Sequence, residues 1–267
     1  MIKKVLITGG TSGLGLELVK LFLSDGAEVY ATGRKMADIL SDNSGFHFIQ
    51  VDFSDLKQVE AVISQVASSQ PEFDLVINNA GVLSPHDFAL SKDGFEYTFQ
   101  VNVLAHLLLD DIIVRSMPEG SDLRIAFVTS PVYRYVKPLF IFPQKNNYNP
   151  FKTYCETKYY LLLAGSFLKL KYPDKDLKII GLDPGIFSSR IYRMQKSWFH
   201  KMYWVGAFFM RSSENVAGKL HRILNDSRFT ENRVHYRSGK RSQPFPPMSS
   251  AAEKFMAACH DLVKIES

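Results

Sequence analysis

The stretch KVLITGGTSGLGLELVKLF, residues 4–22, decides how the chain begins to fold. Its first part is a short β-branched run that predicts a buried strand, and the apolar spacing after Gly15 predicts a helix. Between them, Gly9, Gly13 and Gly15 allow a tight turn, a close backbone approach and a helix N-terminus able to hold a pyrophosphate. A plain glycine turn is the alternative. The strand before the glycines and the helix after them favour the nucleotide-binding interpretation.

The same alternation of strand and helix continues along the chain. Further strands are predicted in 28–34, 46–55, 73–81, 122–130 and 176–185, and helices in 15–27, 55–69, 153–170 and a stretch before the fifth strand. This order indicates βαβ units and a mainly parallel sheet with helices on both faces. The sequence therefore predicts a doubly wound, Rossmann-type α/β fold whose ligands bind at the carboxyl ends of the strands.

The composition is ordinary for a globular protein, with 46% hydrophobic and 22% charged residues among 267. The net charge is +5, but the basic residues are scattered, which favours a solvated surface over a nucleic-acid-binding face. No uninterrupted apolar stretch reaches the roughly 20 residues of a spanning helix. Cys155 and Cys259 match neither a disulfide framework nor a metal-ligand spacing, so we expect a cytoplasmic protein without a metal ion.

A second pattern lies in TYCETK, residues 153–158, where Tyr154 and Lys158 are four residues apart. In a helix this spacing places both side chains on one face. A nearby ammonium stabilises a phenolate and lowers the pKa of the tyrosine, which can then exchange a proton near neutral pH. Both residue types are common, so the pair alone is weak support for a catalytic site.

Several motifs in order resemble the short-chain dehydrogenase/reductase family. They are the spacing G-x-x-x-G-x-G, NNAG at 78–81, the pair Tyr154 and Lys158, and DPG at 183–185. The resemblance runs from Val5 to about Gly185 and is nearest to the retinol dehydrogenase and carbonyl reductase branch. It implies a single domain over 1–267, with a mainly dinucleotide-binding half at 1–130 and a catalytic and substrate-binding half at 131–267.

The resemblance implies a catalytic tetrad. Tyr154 matches the general acid/base, and Lys158 matches the residue that tunes this tyrosine and binds ribose hydroxyls. Ser130 matches the serine that hydrogen-bonds the substrate oxygen, and Asn102 the asparagine that anchors a proton-relay water. Singly, these residues could be a turn serine, a packing asparagine and a solvated lysine. Together and in this order they favour the catalytic interpretation.

A dinucleotide site along the strand ends is also implied by the resemblance. Asp52 matches the acid that meets the adenine amino group, while Ser188 and Ser189 offer a hydroxyl for the nicotinamide carboxamide. The complete predicted set is Gly9, Thr11, Ser12, Gly13, Leu14, Gly15, Arg34, Lys35, Asp52, Phe53, Asn79, Ala80, Gly81, Lys158, Pro184, Gly185, Ser188 and Ser189.

Arg34 and Lys35 follow the second predicted strand and bear on the choice of coenzyme. NAD-selective members tend to place an acid there for the ribose hydroxyls, and this sequence has none. The guanidinium of Arg34 suits a 2′-phosphate, since it can fork around phosphate oxygens, and Lys35 could assist. An exposed basic helix start is the alternative. We expect NADP(H) rather than NAD(H).

Two apolar segments favour a lipophilic substrate. The insert 131–152, between Ser130 and Tyr154, resembles the retinol dehydrogenase branch, which handles retinoids, steroids and long-chain aldehydes. The substrate-binding flap, expected at about 186–212, contains Trp198 and Trp204. Such an apolar lid suits a large hydrophobic substrate. Packing on the core or on a second subunit is the alternative, and peripheral membrane contact is conceivable but not expected.

These patterns predict an NADP(H)-dependent oxidoreductase that transfers a hydride between nicotinamide and a carbonyl or alcohol. The substrate would be an aldehyde or ketone, of retinoid or steroid type. The alternatives are reduction of a conjugated C=C bond on the same scaffold and a non-catalytic NADP(H) sensor or scaffold. Family members often pair through the long helices that carry Asn102 and Tyr154, so the resemblance implies a homodimer, although the insert could obstruct it. We expect no nucleic-acid partner.

Overall fold

Strand β1 (Lys4–Ile7) and helix α1 (Gly13–Ser24) flank the glycine loop, as the sequence predicts. The computed structural model describes residues 2–69, 72–185, 212–226, 231–237, 239 and 241–263. The side chains of β1 alternate between two apolar clusters, with Leu6 in one and Val5 and Ile7 in the other. Because both faces of the strand are covered, a continuous apolar run forms it.

The following elements keep the predicted alternation as far as β6. They are β2 (Glu28–Gly33), β3 (Phe46–Gln50), α2 (Leu56–Ser69), β4 (Leu75–Asn78), α3 (Tyr97–Phe99), α4 (Ala105–Ser116), β5 (Asp122–Val128), α5 (Pro150–Lys171), β6 (Asp176–Asp183), α6 (Ser213–Leu224), β7 (Arg233–Tyr236), β8 (Ser242–Pro244) and α7 (Ser250–Val263). A π-helical turn, Gln100–Leu104, joins α3 to α4, and 3₁₀ segments occupy Asp38–Leu40, Pro131–Tyr135 and Lys145–Asn147.

Eight strands of the described residues form one sheet in the order β3-β2-β1-β4-β5-β6-β7-β8. Neighbouring strands are parallel throughout, except for the antiparallel pair β7 and β8. The strand order reverses between β1 and β4, which is where open α/β sheets bind ligands at the strand ends. The predicted doubly wound, mainly parallel sheet is confirmed.

Helices cover both faces of this sheet. Helices α1 and α6 pack together on one face, while α2, α4, α5 and α7 lie on the other. In the described part of the chain one helical stretch, Tyr97–Ser116, is long and apolar enough to cross a membrane. Nearly all of it is buried inside the protein, so packing against its neighbours accounts for its composition.

The C-terminal part departs from the sequence-based description. Helix α7 begins where the Ser249 hydroxyl accepts a hydrogen bond from the Ala252 amide at 3.2 Å. Strand β8, which the sequence analysis does not predict, lies before it and pairs with β7 at the sheet edge. Helix α6 and β7 were not predicted. The flap residues 186–211, with Ser188, Ser189, Trp198 and Trp204, lie outside the described residues.

Candidate active site

The glycine loop is fixed to β2 by two hydrogen bonds to Thr32. Gly9 donates to the Thr32 hydroxyl at 3.2 Å, and Gly10 donates to the Thr32 carbonyl at 3.0 Å. Gly9 and Gly13 have positive φ angles of 65° and 55°, which residues with a Cβ rarely adopt. The first turn of α1 contains no acidic residue. Its N-terminus therefore favours an anionic group above the loop.

Gly15 brings α1 against the loop and against the NNAG segment. A Cβ at this position would lie 2.3 Å from the Gly9 carbonyl oxygen and 2.5 Å from Asn79 Nδ2. The Asn79 amide also donates to the main-chain oxygen of Thr8 at 2.8 Å. The structure thus brings together Gly9, Gly15 and Asn79, three of the residues predicted to hold the dinucleotide.

Thr8 organises this end of the sheet and was missed in the sequence. Its hydroxyl oxygen accepts hydrogen bonds from the main-chain amides of Asn79 and Ala80, both at 2.9 Å. It also lies 3.0 Å from Nε2 of His106, a buried residue of α4. A threonine directly before the glycines is a weak sequence signal, because its partners lie about 70 to 98 residues away.

The predicted coenzyme-selecting residues lie at the ends of β2 and β3. Arg34 and Lys35 are exposed directly after β2. Burial raises the pKa of the Tyr97 hydroxyl, and the charges of Arg34, which lowers this pKa, and of Asp52, which raises it, also act on it. Phe53 contributes its ring to the core, where it packs edge-on against His106. Its side chain therefore does not line the surface.

Lys158 is the most unusual titratable group of the site, because its ammonium is enclosed by protein. Its Nζ donates to the Val128 carbonyl at 3.1 Å and lies 6.0 Å from the centre of the Tyr154 ring. Burial lowers the pKa of Lys158 to about 8. A Cβ on Gly81 would lie 3.4 Å from this Nζ and 3.3 Å from Asn102 Oδ1. Gly81, Asn102 and Lys158 therefore meet at one point.

Asn102 is buried in the π-helical turn and bridges two segments of the site. Its Oδ1 accepts from the Val82 amide at 2.8 Å, and its Nδ2 donates to the Val82 carbonyl at 3.0 Å. The same Nδ2 donates to the Thr157 hydroxyl at 3.1 Å, which in turn donates to the Tyr154 carbonyl at 2.8 Å. Thr157 thus ties Asn102 to the helix of Tyr154 and Lys158. No sequence signal points to it beyond its place before Lys158.

Ser130 follows β5 and begins the 3₁₀ segment Pro131–Tyr135, which packs against α5, the helix of Tyr154. The preceding residue, Thr129, donates from its hydroxyl to the Lys158 carbonyl at 3.2 Å. These contacts hold the carboxyl end of β5 against the turn of α5 that carries Tyr154 and Lys158. Serine, tyrosine and lysine therefore lie on one side of the sheet end.

The DPG turn closes the neighbouring strand end. The Gly185 amide donates to Asp183 Oδ1 at 2.7 Å, and Gly185 has a φ of 65°. Arg237 donates to the Pro184 carbonyl at 3.2 Å. Pro184 and Gly185 thus follow β6 at the same edge of the sheet as the glycine loop and Ser130.

The defining sequence pattern of one known family, described as short chain dehydrogenase, matches residues 3–198. The chain belongs to the short-chain dehydrogenase family. Its curated relatives in this family include human retinol dehydrogenase 11, with 27% identity over 235 residues that cover 84% of this chain and 73% of the relative. An oxidoreductase of Penicillium decumbens is 30% identical over 205 residues, which cover 69% of this chain and 58% of that protein.

Solved structures with the same fold cover nearly all of the chain. A protein of Mycobacterium paratuberculosis superposes with a TM-score of 0.73 at 22% identity, covering 99% of this chain and 94% of that one. A short-chain dehydrogenase of Leptospira borgpetersenii with bound NAD⁺ gives a TM-score of 0.68 at 21% identity, with coverages of 90% and 92%. At these identities the likeness establishes the fold, and the fold agrees with the family.

Proposed function

We propose that this short-chain dehydrogenase is an NADP(H)-dependent oxidoreductase for the carbonyl or alcohol group of a lipophilic substrate. The observation that carries the proposal is the buried ammonium of Lys158 beneath the Tyr154 ring, next to Asn102 and Gly81. Burying a lone ammonium is costly for a fold. Its place at the carboxyl ends of the strands favours a chemical role over a structural one.

The residues at the strand ends fit a nicotinamide dinucleotide. A Cβ placed on Gly13 would meet no atom within 4 Å, so the space above the N-terminus of α1 is open. The loop glycines and this N-terminus would hold the pyrophosphate. Arg34 and Lys35, both exposed after β2, would receive a 2′-phosphate, which supports NADP(H) over NAD(H). When bound, the coenzyme supplies or accepts the hydride.

The side chains of the site account for the transfer of the proton. In reduction, the Tyr154 hydroxyl donates its proton to the carbonyl oxygen as the carbon receives the hydride, and the Ser130 hydroxyl hydrogen-bonds the same oxygen. The Lys158 ammonium stabilises the tyrosinate that remains. Tyr154 then regains its proton from solvent along a path that passes Lys158 and Asn102. Oxidation of the alcohol runs through the same steps in reverse.

The insert beside the site supports a lipophilic substrate. Exposure alternates along it: Phe140 and Phe142 pack inward against Phe255, while Leu139 and Ile141 point outward with exposed fractions of 63% and 49%. Tyr135 and Phe151, near the two ends of the insert, are also exposed. These residues give the insert, whose ends adjoin Ser130 and Tyr154 in the chain, an apolar outer surface. A relative named retinol dehydrogenase agrees with such a substrate.

The homodimer and the cytoplasmic location stay predictions. Helix α7 packs against α4 and α5, so a homodimer formed on this face would have to include α7. Cys155 and Cys259 are both free and buried, which agrees with a reducing cytoplasm.

The test is NADPH consumption by the wild type, Tyr154→Phe and Tyr159→Phe, against aldehydes, steroid ketones, retinal and quinones. We expect turnover that falls at least about a hundredfold in Tyr154→Phe and stays near the wild type in Tyr159→Phe, a matched change on the same helix. Product analysis distinguishes a reduced carbonyl from a reduced C=C bond. Tight NADPH binding without turnover of any of these compounds would favour the non-catalytic sensor.

A further inference from the structure

His106 connects the π-helical turn that carries Asn102 with the end of β1. It lies in α4, four residues after Asn102, and is fully buried. Its Nδ1 is 3.2 Å from the main-chain oxygen of Asn102, and its Nε2 is 3.0 Å from the Thr8 hydroxyl. The imidazole therefore spans from the π-helical turn to the end of β1, where the glycine loop begins.

The hydrogen-bond donors and acceptors around the His106 ring determine its tautomer. The Thr8 hydroxyl oxygen has two lone pairs, and the amides of Asn79 and Ala80 already occupy them at 2.9 Å. Its single proton remains for one acceptor. The Asn102 main-chain oxygen, 3.2 Å from Nδ1, can only accept, so Nδ1 carries the proton of the neutral ring. Nε2 is left as an acceptor for the Thr8 hydroxyl, which also lies 3.3 Å from the Ile77 carbonyl.

It follows that Nε2 of His106 is an acceptor and that the ring carries its proton on Nδ1. That N–H donates to the Asn102 carbonyl. Burial, together with the nearby Lys158 charge, lowers the pKa of His106 to about 3, so the ring is neutral at physiological pH. Both ring nitrogens are then satisfied, as a buried polar side chain requires.

The main-chain oxygen of Asn102 is the atom that this bond controls. The side-chain amide of Asn102 is already engaged by Val82 and Thr157. Its carbonyl oxygen has two lone pairs, and His106 occupies one of them. The Asn102 side chain and the Lys158 ammonium both reach the position of Gly81, so the backbone that His106 holds also places this amide beside Lys158.

We propose that His106 is a positioning residue that fixes the Asn102 carbonyl relative to the NNAG segment, and so aligns proton return to Tyr154 with the coenzyme site. The proposal rests on the proposed function of Tyr154 and Lys158. The ring transfers no proton itself, and it does not touch the substrate. A chain of hydrogen bonds runs from the Asn79 and Ala80 amides through Thr8 and His106 to Asn102.

His106 forms a bridge of two hydrogen bonds, one to Asn102 and one to Thr8, and two substitutions separate them. His106→Asn places an amide nitrogen as many bonds from Cβ as Nδ1, and so keeps the donor to Asn102. His106→Gln places an amide oxygen where Nε2 stands, and so keeps the acceptor for Thr8. We expect His106→Gln to lose about tenfold in kcat with NADPH KM nearly unchanged, whereas His106→Asn, which frees Thr8 and the NNAG segment, raises NADPH KM about threefold with a smaller loss of kcat. The solvent deuterium isotope effect on kcat should rise only in His106→Gln.

A second measurement does not depend on turnover. In ¹⁵N-histidine-labelled protein, which contains seven histidines, the His106 signals are assigned by their loss in His106→Gln. We expect a neutral ring protonated at Nδ1 and unchanged between pH 8 and pH 5. An Nε2-protonated ring, or one that titrates in this range, would overturn the bridge.

The kinetic outcomes are equally decisive. Equal losses of kcat in the two variants, in proportion to lost stability, would reduce His106 to a packing residue and overturn the proposal. If the wild type itself shows no Tyr154-dependent turnover, the proposed function fails and the positioning role with it. The NMR result would then distinguish that failure from an incorrect assignment of the bridge.

Discussion

The Lys158 side-chain nitrogen lies 3.1 Å from the Val128 carbonyl, and the side chain is almost fully buried. Burial lowers the pKa of Lys158 to about 8, against 10.5 for an ordinary lysine. The folded protein therefore releases this proton near pH 8, whereas the unfolded chain keeps it until about pH 10.5. Because the unfolded state binds more protons in this window, the free energy of unfolding rises with pH there.

Lys158→Met should remove this rise of the free energy of unfolding with pH. We expect the stability of the wild type, relative to Lys158→Met, to increase by about 3 kcal/mol between pH 8 and pH 10.5 in coenzyme-free protein. Urea unfolding of both proteins across this range measures the difference, and ionisations common to both cancel. Parallel stability curves would mean that the ammonium is hydrated in solution. The variant should be inactive at every pH, because Tyr154 loses its cationic neighbour.

Arg34→Leu tests the choice of coenzyme. Loss of a charged hydrogen bond to the 2′-phosphate costs about 1.5–3 kcal/mol, so KM for NADPH should rise roughly 10- to 100-fold. KM for NADH should change by less than about threefold, since NADH carries no 2′-phosphate. Lys254→Leu removes the same charge from an exposed site on α7 and serves as the control. A rise of equal size for both coenzymes would assign Arg34 a general electrostatic role.

Two adjacent aspartates of α4 should respond oppositely to amidation. Asp110 is fully buried, and burial raises its pKa well above the usual range. Burial also acts on Asp111, but hydrogen bonds from His260, Lys171 and Tyr172 overcome it and hold the pKa of Asp111 well below the usual range. Ionisation of Asp110 is therefore unfavourable in the fold, whereas ionisation of Asp111 is favourable.

Asp110→Asn should stabilise the protein at pH 8, with a gain that shrinks toward pH 4. The Asn78 amide donates to Asp110 Oδ2 at 2.7 Å, while Oδ1 of each residue lacks a hydrogen-bond partner among the described residues. An amide at 110 supplies the missing donor without a charge. Because the folded pKa of Asp110 is raised, wild-type stability is lost as pH rises above about 4, and the variant escapes this loss.

Asp111→Asn is the matched control, and it should cost about 3 kcal/mol at pH 8. It leaves Lys171, Arg115 and His260 without the carboxylate that they share. Because the folded pKa of Asp111 is lowered, this contribution is present above about pH 4 and is lost as pH falls further. Urea unfolding of both variants at pH 4, 6 and 8 measures these changes in stability. Equal destabilisation at pH 8 would show that Asp110 is ionised in the fold.

The fold was predictable where its signals are local. The glycine loop, the β-branched strands and the apolar stripe of α2 each lie within a few neighbouring residues, and these elements were located from sequence to within a few positions. Strand β8 has three residues and ends at Pro244, so no period can be seen in it. It becomes a strand only because β7 stands beside it at the sheet edge.

The residues of the candidate site also divide into those that local motifs reveal and those that only distant contacts define. Gly9, Gly15, Asn102 and Lys158 belong to short motifs, and the structure brings them to one edge of the sheet. Thr8, His106 and Thr157 are defined by bonds to distant residues, and nothing in their own neighbourhood reveals those partners. The neighbours Asp110 and Asp111 differ for the same reason, since only tertiary contacts set their environments.

Two helix glycines offer the final prediction, because they differ in what a methyl group would meet. At Gly15 in α1 a Cβ would lie 2.3 Å from the Gly9 carbonyl, a main-chain atom that can yield only if the glycine loop moves. At Gly218 in α6 a Cβ would meet no atom within 4 Å. Gly15→Ala should therefore weaken NADPH binding by at least about tenfold and cost 1–3 kcal/mol of stability, roughly the penalty of overpacking.

Gly218→Ala should instead leave NADPH binding unchanged and add about 0.5–1 kcal/mol of stability, because alanine restricts the unfolded chain and favours a helix. Fluorescence titration with NADPH and urea unfolding of both variants measure the two effects. A Gly15→Ala protein that binds NADPH as tightly as Gly218→Ala would show that the loop can shift without cost. The close contact between α1 and the loop would then not be what shapes the pyrophosphate site.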